Sequence, residues 1–487
     1  GQIDLAAEAS LGDYSLSLEL DGRAYGTGFT VAEYRKPEYV VSVTTSQQEY
    51  TQGDRITATV QSSYYFGGPV AGATVTWRVL SQDYYFSYSG SDDYSFVDVD
   101  WETRSRQTMY GTAVTSGQGV TDASGQFSFS LPADVAAYRN SQLWTLEASI
   151  VDASNQEVSS RTSAVVHKGL VYVGIRPELY LSTAGQESKQ RLITVDRASA
   201  PVPGVPVTIV LLQLNWYNVQ VESKDEGFYW EWQLRETPVA TTTVTSGADG
   251  RAVAAVTPLK GGSYRVRAFA RDSRGNEVRS SAYLWVSARD YVSWRQENND
   301  RIELVLDKKA YAPGDTARLL IPSPFQGNVA ALLTIERGHI LQHRVLQLGS
   351  NSEQVEIPIL PDYAPNVFVS AVLVKGSDAT NPLPSYRVGY ITLPVSTVQK
   401  QLTLKVTPDR TEAYRPGQQA SFDIVATDYA GQPVQAEFSL QLVDAAVLAL
   451  SEGWQGTLLG TFYGTRSLGV RTGSSLSISA ERRLEQT

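Results

Sequence analysis

A five-residue turn motif recurs four times along the chain, at intervals the size of a small domain. It reads Tyr-x-x-Gly-Asp or a close variant in residues 50–54, 311–315 and 414–418, and a weaker copy, Ser-Thr-Ala-Gly-Gln, occupies residues 182–186. Successive copies are 132, 129 and 103 residues apart. In such a motif Pro fixes φ and the following Gly supplies a positive φ, which together make a tight turn between strands. We therefore predict one β-sandwich domain for each copy.

Between these turns, apolar and polar residues alternate with a period of two. This alternation is typical of strands that have one face in a core and the other in water. No long amphipathic helix pattern is present, so the expected fold class is all-β, a tandem array of fibronectin-like or immunoglobulin-like antiparallel sandwiches. The clearest alternating runs lie in residues 73–79, 127–131, 264–270, 302–306, 402–406 and 438–442.

Two further repeats indicate that the domains share one plan. A Pro-Val corner in residues 68–75 returns in residues 200–207 and, more loosely, in residues 432–436. An Asp-Gly hairpin in residues 121–127 returns in residues 246–252. Each domain is thus predicted to follow one order: turn, strand, Pro-Val corner, strand, Asp-Gly hairpin and strand.

Composition excludes several function classes. The net charge is −10 and no Lys/Arg run occurs, so nucleic acids and anionic membranes are not expected partners. The chain has no cysteine, which excludes disulfides, thiolate nucleophiles and Cys-bound zinc. Apolar runs such as Val443–Leu450 are far shorter than the ~20 residues that cross a bilayer. Because nucleophile-elbow and phosphate-loop motifs are also missing, we expect neither enzyme activity nor a cofactor.

The few histidines give weak support to a metal site. His339 and His343 stand four residues apart with Glu336 nearby, which on a helix could bind zinc. Gly338 and the flanking alternation predict a strand instead, on which the two imidazoles share a face but lie too far apart to chelate a metal easily. We therefore expect no metal there. His167, at a predicted domain boundary, is expected to be a solvated linker residue.

An acidic and aromatic insertion offers two other candidate sites. Its carboxylates could bind calcium, but the spacing of an EF-hand loop is absent, and a solvated hairpin is the preferred interpretation. Its aromatic residues could form a recognition platform, although cross-strand or domain–domain packing is the commoner role. The acidic residues are Asp92, Asp93, Asp98, Asp100 and Glu102, and the aromatic ones are Tyr84, Tyr85, Phe86, Tyr88 and those of residues 228–232.

Several segments resemble the bacterial α2-macroglobulin family. The stretch Phe29–Tyr39, with its Glu-Tyr-x-x-Pro hinge, is similar to a junction between macroglobulin domains, and Tyr64–Val70 and Tyr84–Phe96 resemble parts of the domain that follows. The strand Leu440–Leu450 resembles the one that precedes the family's protease-cleaved bait region, and Phe462–Thr472 is similar to the approach to that region. The resemblance covers essentially the whole chain.

This resemblance implies an order for the predicted domains. Residues 1–34 would be the C-terminal part of a second macroglobulin domain, and residues 35–167, 168–290 and 291–398 would be the third, fourth and fifth. Residues 399–487 would be part of a sixth, which leads into the bait region. We expect a middle section of a longer protein, which by itself is not a working inhibitor.

The implied function is that of a non-catalytic scaffold in a broad-spectrum endopeptidase inhibitor of the bacterial envelope. In this family a protease cuts the bait, the domains rearrange, and the protease is trapped, often by a Cys-x-Glu-Gln thioester that this cysteine-free chain lacks. The expected partners are proteases, through the longer parent, and the other domains of the same chain. The candidate protease-accessible residues are Arg471, Arg482 and Arg483, although an ordinary C-terminal strand with a frayed end is an equally good interpretation of residues 473–484.

Two rival functions remain open at this stage. The first is a bacterial surface adhesin built from immunoglobulin-like repeats, whose units are usually more alike in length and sequence than these. The second is the accessory β-domain section of a carbohydrate-active enzyme, whose catalytic domain would lie outside this chain.

Overall fold

The computed structural model describes residues 12–20, 23–31, 38–98, 111–223, 227–295, 300–379, 381, 383–412, 414–415, 417–440 and 458–473. These residues are almost entirely antiparallel β structure, which confirms the predicted fold class. They form two compact units, one made of the described residues up to 86 and from 111 to 170, and the other of those from 87 to 98 and from 171 to 473.

The first unit contains a hairpin and one sandwich. The hairpin pairs β1 (Gly12–Leu20) with β2 (Arg23–Val31). The sandwich has a three-stranded sheet in the order β3-β5-β8 and a five-stranded sheet in the order β4-β10-β9-β6-β7. Its strands are β3 (Tyr39–Thr45), β4 (Glu49–Thr51), β5 (Arg55–Tyr64), β6 (Thr74–Asp83), β7 (Thr112–Val120), β8 (Gln126–Pro132), β9 (Gln142–Val151) and β10 (Glu157–His167).

The second unit begins with a sandwich of the same design. Its sheets have the orders β11-β13-β16 and β12-β18-β17-β14-β15, which repeat the three-plus-five arrangement. The strands are β11 (Tyr172–Pro177), β12 (Leu181–Thr183), β13 (Ser188–Val195), β14 (Pro206–Ser223), β15 (Gly227–Thr245), β16 (Arg251–Val256), β17 (Gly262–Arg271) and β18 (Glu277–Ser287).

A third sandwich and a separate strand pair complete the second unit. The sandwich has sheets in the orders β19-β20-β23 and β22-β21-β24-β25, and β26 pairs with β27 alone. The elements are β19 (Val305–Leu306), β20 (Thr316–Pro322), β21 (Val329–Arg337), β22 (His339–Leu348), β23 (Ser352–Pro358), β24 (Asn366–Lys375), β25 (Ser385–Pro394), β26 (Thr403–Pro408), β27 (Phe422–Thr427) and the short helix α1 (Leu458–Phe462).

The recurring motif forms the turn expected from it. In the first copy the amide of Asp54 donates to the carbonyl of Thr51 at 2.9 Å, and Gly53 between them has a φ of 89°. The aspartate also accepts a hydrogen bond from the Thr51 amide at 2.8 Å. Only glycine adopts this backbone conformation without strain. The corresponding glycines of the other copies, Gly185, Gly314 and Gly417, also have positive φ.

The first residue of the motif occupies the same place in all three sandwiches. Tyr50 pairs in parallel with Val166, Ser182 with Val286, and Tyr311 with Val395, each near the end of the sandwich's last strand. The buried Tyr50 hydroxyl lies 2.9 Å from the Ser46 hydroxyl and accepts the Gln47 amide at 2.8 Å. Tyrosine therefore fills the corner and satisfies the backbone that leads into it.

The predicted alternation places apolar residues in the cores of the three sandwiches. Val75 and Val266 are fully buried, as is typical of strands with one buried face. The run predicted in residues 302–306 does not alternate, because Leu304, Val305 and Leu306 are all buried. The prediction is wrong for β26, where Leu404 and Val406 remain about half exposed, and for residues 438–440, which are exposed and belong to no strand. Among the described residues, β26 pairs only with β27, so no second layer covers either face of this pair.

Within the part of the chain that the structure describes, no helix is both long and apolar enough to span a bilayer.

The tyrosine corner of the third sandwich can be tested at Tyr311. Its hydroxyl donates to Asp307 at 2.7 Å and accepts the Lys308 amide at 3.1 Å. Tyr311→Phe should lower the free energy of local opening by about 1–3 kcal/mol, because both buried groups lose a partner. Native-state hydrogen exchange at the Lys308 amide measures this loss. Tyr390→Phe, at an exposed tyrosine of β25, should change it by less than ~0.5 kcal/mol, and equal effects would contradict the corner's role.

Because of a buried tyrosine, the first unit should become less stable at alkaline pH. Burial, and then the nearby Asp152, raises the pKa of Tyr39 to about 12. Because an unfolded tyrosine has a pKa of about 10, the stability that Tyr39 contributes is complete below that pH and is lost as the pH rises through 12. The free energy of unfolding, measured across this pH range, should fall less steeply for Tyr39→Phe than for the unchanged protein. Tyr65→Phe, at an exposed residue, should behave like the unchanged protein.

Candidate functional site

The segment 458–473 is held against the third sandwich by backbone hydrogen bonds. Helix α1 ends at Phe462, whose carbonyl accepts a hydrogen bond from Nη2 of Arg466 at 2.7 Å. The Arg466 amide donates to Oδ1 of Asn366 at 2.8 Å, and the Arg466 carbonyl accepts from Nδ2 of the same side chain at 3.0 Å. One asparagine thus satisfies both backbone groups of one residue, as a neighbouring strand would do.

A second contact lies two residues further along this segment. The Gly338 amide donates to the carbonyl of Leu468 at 2.7 Å. A Cβ atom added to Gly469 would lie 2.9 Å from Cα of Gly338, so the two backbones are too close for a side chain at this position. Both glycines have positive φ, which makes glycine the favoured residue at each of them. The segment is therefore fixed at Arg466 and again at Leu468.

Arg337 organises the surface to which the segment binds. Its guanidinium donates to the carbonyls of the four residues Asp362, Tyr363, Ala364 and Asn366, at 2.8 to 3.4 Å. These carbonyls lie in the turn that leads into β24, whose first residue is the almost fully buried Asn366. A cavity of about 380 Å³, lined by Arg337, Pro365, Tyr463 and Arg466 among others, lies at this contact.

Of the three predicted protease-accessible residues, only Arg471 lies within the described residues. Arg471 is exposed and follows the two fixed points directly, with Thr472 and Gly473 also exposed. Arg482 and Arg483 lie outside the described residues, so they stay predictions. Sequence reasoning missed Asn366 and Arg337, since neither stands in a motif, and it used Gly338 only as evidence against a helix.

The histidines do not form a site. His339 and His343 lie on β22, as the strand prediction required, with exposed side chains. Four residues along a strand correspond to about 13 Å, which is too far for joint ligation of one ion. Among the described residues, no group of three or more His, Cys, Asp or Glu side chains could hold a metal. The nearby Glu336 is buried and accepts a hydrogen bond from the Thr334 hydroxyl.

The expectation for His167 was wrong. It ends β10 and is almost fully buried, with Nε2 3.6 Å from a carboxylate oxygen of Glu49 and its ring edge-on to Tyr84 at 5.8 Å. A position near a predicted domain boundary therefore did not imply exposure, because the parallel pairing of β4 with β10 places this residue inside the sandwich corner.

The acidic insertion is not a solvated hairpin, and that expectation was also wrong. Residues 87–98 belong to the second unit, where Ser95 and Ile175 exchange two backbone hydrogen bonds of 2.9 Å. The Ser281 amide of β18 donates to the carbonyl of Val97 at 3.0 Å. This docked segment runs beside the second sandwich in a strand-like fashion. Asp100 and Glu102 lie outside the described residues.

The acidic residues of the docked segment form ion pairs with arginines and a lysine. Oδ2 of Asp98 lies 3.1 Å from Nε of Arg267 and 3.4 Å from Nε of Arg279, and the carboxylate is almost fully buried. Glu236 extends this network, with its two oxygens 2.6 Å from Arg265 and 3.0 Å from Arg267. Buried charges of opposite sign can satisfy one another in this way.

Two further pairs lie at the surface of the same segment. Asp92 lies 2.7 Å from Arg251 and raises the pKa of its guanidinium, and Asp93 lies 2.6 Å from Lys309. Among the aromatic residues, Tyr88 packs against Phe96 with ring centroids 5.3 Å apart, which fits the packing role. The side chains of residues 228–232 lie outside the described part of the structure.

The buried pair provides a sharp test of this docking. Asp98→Asn should release the docked segment, because Arg267 and Arg279 would lose the carboxylate that this segment supplies, and breaking a buried pair costs about 3–5 kcal/mol. Hydrogen exchange at the Ser95, Ile175 and Ser281 amides should then accelerate strongly. Asp93→Asn makes the same chemical change at an exposed pair, for which the cost is about 0–1 kcal/mol. Similar exchange in the two variants would show that Asp98 does not hold the segment.

Three protein-family profiles match the chain. The profile described as "Bacterial Alpha-2-macroglobulin MG5 domain" matches residues 40–167, and "Bacterial macroglobulin domain 6" matches residues 174–286. "Alpha-2-macroglobulin bait region domain" matches residues 302–450. The first two profiles carry the ordinals five and six where the sequence resemblance implied a third and a fourth domain.

Known relatives agree with these profiles. An α2-macroglobulin homolog of Nostoc sp. is 25% identical over 468 residues, which cover 93% of this chain and 24% of the relative. The α2-macroglobulin of Ralstonia nicotianae is 27% identical over 489 residues, 97% of this chain and 27% of the relative. The cryo-EM structure of native Escherichia coli α2-macroglobulin is 18% identical and covers 98% of this chain and 32% of that one, with a TM-score of 0.42.

The chain spans about a quarter of the length of the curated relatives it matches. Together, the three matched profiles extend over most of its length, from residue 40 to residue 450. These matches bear out the resemblance found in the sequence motifs. The chain belongs to the bacterial α2-macroglobulin family.

Proposed function

We propose that this chain is a non-catalytic scaffold in a broad-spectrum endopeptidase inhibitor, which presents an exposed segment for proteases to cut and traps them afterwards. The observation that carries the proposal is the position of Arg471. It is exposed immediately after a segment that is fixed to the third sandwich at Arg466 and Leu468. Exposed chain next to a rigid anchor is a preferred site of proteolytic cleavage.

The bait-region match lies just before this location in the chain. It extends over residues 302–450, which include the third sandwich and the β26–β27 pair, and the fixed segment 458–473 follows it in the chain. Cleavage beyond the anchor would free the downstream chain while the sandwiches remain folded. Once the downstream chain is no longer tethered to the sandwiches, rigid domains can move relative to one another, so one cut can drive a rearrangement.

A role without catalysis is supported by the histidines, the residues most often used as general bases. His167 is buried in a corner beside Glu49, and His339 and His343 are exposed on β22, which is an edge strand among the described residues. These positions favour structural and surface roles over acid–base chemistry.

The domain plan is also part of the proposal. Residues 1–34 end one macroglobulin domain, residues 35–167, 168–290 and 291–398 form three more, and residues 399–487 begin a further one. The three sandwiches, with strands from Tyr39 to His167, Tyr172 to Ser287 and Val305 to Pro394, support these divisions. The partners are proteases, and the location is the periplasm or the cell exterior, where an inhibitor of foreign endopeptidases would meet them.

Trapping can be measured with the longer parent protein that contains this chain. After incubation with trypsin, we expect the enzyme to keep its activity on a small chromogenic peptide and to lose it on a large protein substrate. An unrelated endopeptidase that does not cut after basic residues should behave in the same way. Such a result reflects enclosure of the protease and not a block of its active site.

A matched variant separates bait cleavage from other modes of inhibition. With Arg471, Arg482 and Arg483 all replaced by Gln, the parent should no longer protect the large substrate from trypsin. The one basic residue left in residues 458–487 is Arg466, whose backbone is hydrogen-bonded to Asn366. The same variant should still protect the large substrate from the unrelated endopeptidase. If trypsin remains fully active on large substrates in the presence of the unchanged parent, or if the triple variant still traps it, the proposal is wrong.

A further inference from the structure

We propose that the contact of Asn366 with Arg466 is a clamp that determines where proteases cut. The clamp protects the peptide bond after Arg466 from cleavage, so Arg471 is the first arginine of the segment after which a protease can cut. The proteases concerned are those that cleave after arginine. This inference deepens the proposed function and rests on it for its biological role. The protection itself follows from the geometry of the segment alone.

The backbone of Arg466 is unavailable to an attacking protease. Proteins bind extended peptides largely through hydrogen bonds to the peptide backbone, as when a strand is added to a sheet edge. Both backbone groups of Arg466 already bind the Asn366 side chain, at 2.8 and 3.0 Å. A protease must first displace this side chain, and so it must wait for the segment to open.

The neighbouring residues hold the segment to the third sandwich at a second point. The Leu468 carbonyl accepts the Gly338 amide, and Gly469 lies too close to Gly338 for even one added carbon. In addition, the Arg466 guanidinium bonds back to the Phe462 carbonyl, so it is not extended toward a protease specificity pocket.

Side-chain exposure alone gives a different expectation. Arg466 and Arg471 are both exposed, so a trypsin-like enzyme guided only by exposure would cut after either one. The clamp distinguishes these two arginines, which are only five residues apart. Their relative cleavage rates in the same molecule are therefore an internal test of the clamp.

Contacts that do not involve the segment hold Asn366 in place. Asn366 is 2% exposed and begins β24, where it pairs with Pro394 of β25. Its own carbonyl accepts a hydrogen bond from Arg337, which also fixes the turn before it. When opening is fast relative to cleavage, the rate of cutting after Arg466 follows the population of the open segment.

Limited digestion of this chain with trypsin, with products identified by mass spectrometry, tests the clamp. In the unchanged protein, cutting after Arg471 should greatly exceed cutting after Arg466. Asn366→Ala should raise the rate after Arg466 by about tenfold, which corresponds to about 1.4 kcal/mol. The rate after Arg471 should stay nearly constant. Gln347→Ala, at an exposed residue of β22 in the same sheet, should leave both rates unchanged.

A second variant guards against misfolding of β24. Gly469→Ala leaves the sandwich unaltered and introduces a Cβ where Gly338 approaches, so it should shift cutting toward Arg466 in the same way. Equal cutting after both arginines in the unchanged protein would overturn the clamp, as would an unchanged ratio in both variants. Failure of the parent to trap proteases would instead contradict the proposed function, because the cutting positions are read independently of trapping.

Discussion

The three sandwiches depend on a turn that is hydrogen-bonded to both of their sheets. In the first, the Gly53 amide donates to the Ala133 carbonyl at the end of β8, and the Gln52 amide donates to the His167 carbonyl at the end of β10. In the second, Gly185 makes the corresponding bond to Pro258. Because β8 and β10 belong to opposite sheets, one turn joins the two layers at their edge. A substitution that removes the positive φ would therefore affect both sheets together.

Charged side chains of the second sandwich hold a neighbouring segment of the chain. The second sandwich contains Arg267 and Arg279, and the docked segment supplies Asp98 to both of them. Leaving these arginines without an acidic partner would be costly in a buried setting, whereas the exposed Asp93 contributes little. The same acidic composition that suggested a calcium site therefore serves to attach a segment of the chain to a sheet.

Much of the fold was predictable because its determinants are local. The alternation at Val75 and Val266 and the turn glycines fix strands and corners through the backbone geometry of a few residues. The candidate site was predictable only in part. Residues 462–472 were singled out by their resemblance to the approach to a bait region, but Asn366 is 100 residues from Arg466, and no local pattern connects them. The errors at His167 and Asp98 have the same origin, since burial of a polar residue depends on distant partners.

The sequence by itself determined that the chain is an array of sandwiches, where each domain turns, and to which family it belongs. These properties follow from periodicity and from residues that a particular φ requires, and both act over a few positions. Only the tertiary structure decided which aspartates are buried, that His167 is enclosed, and that Asn366 fixes the segment before Arg471. Those outcomes arise where strands far apart in the chain meet, because hydrogen bonds and charge pairs form only between groups that folding brings within a few ångströms.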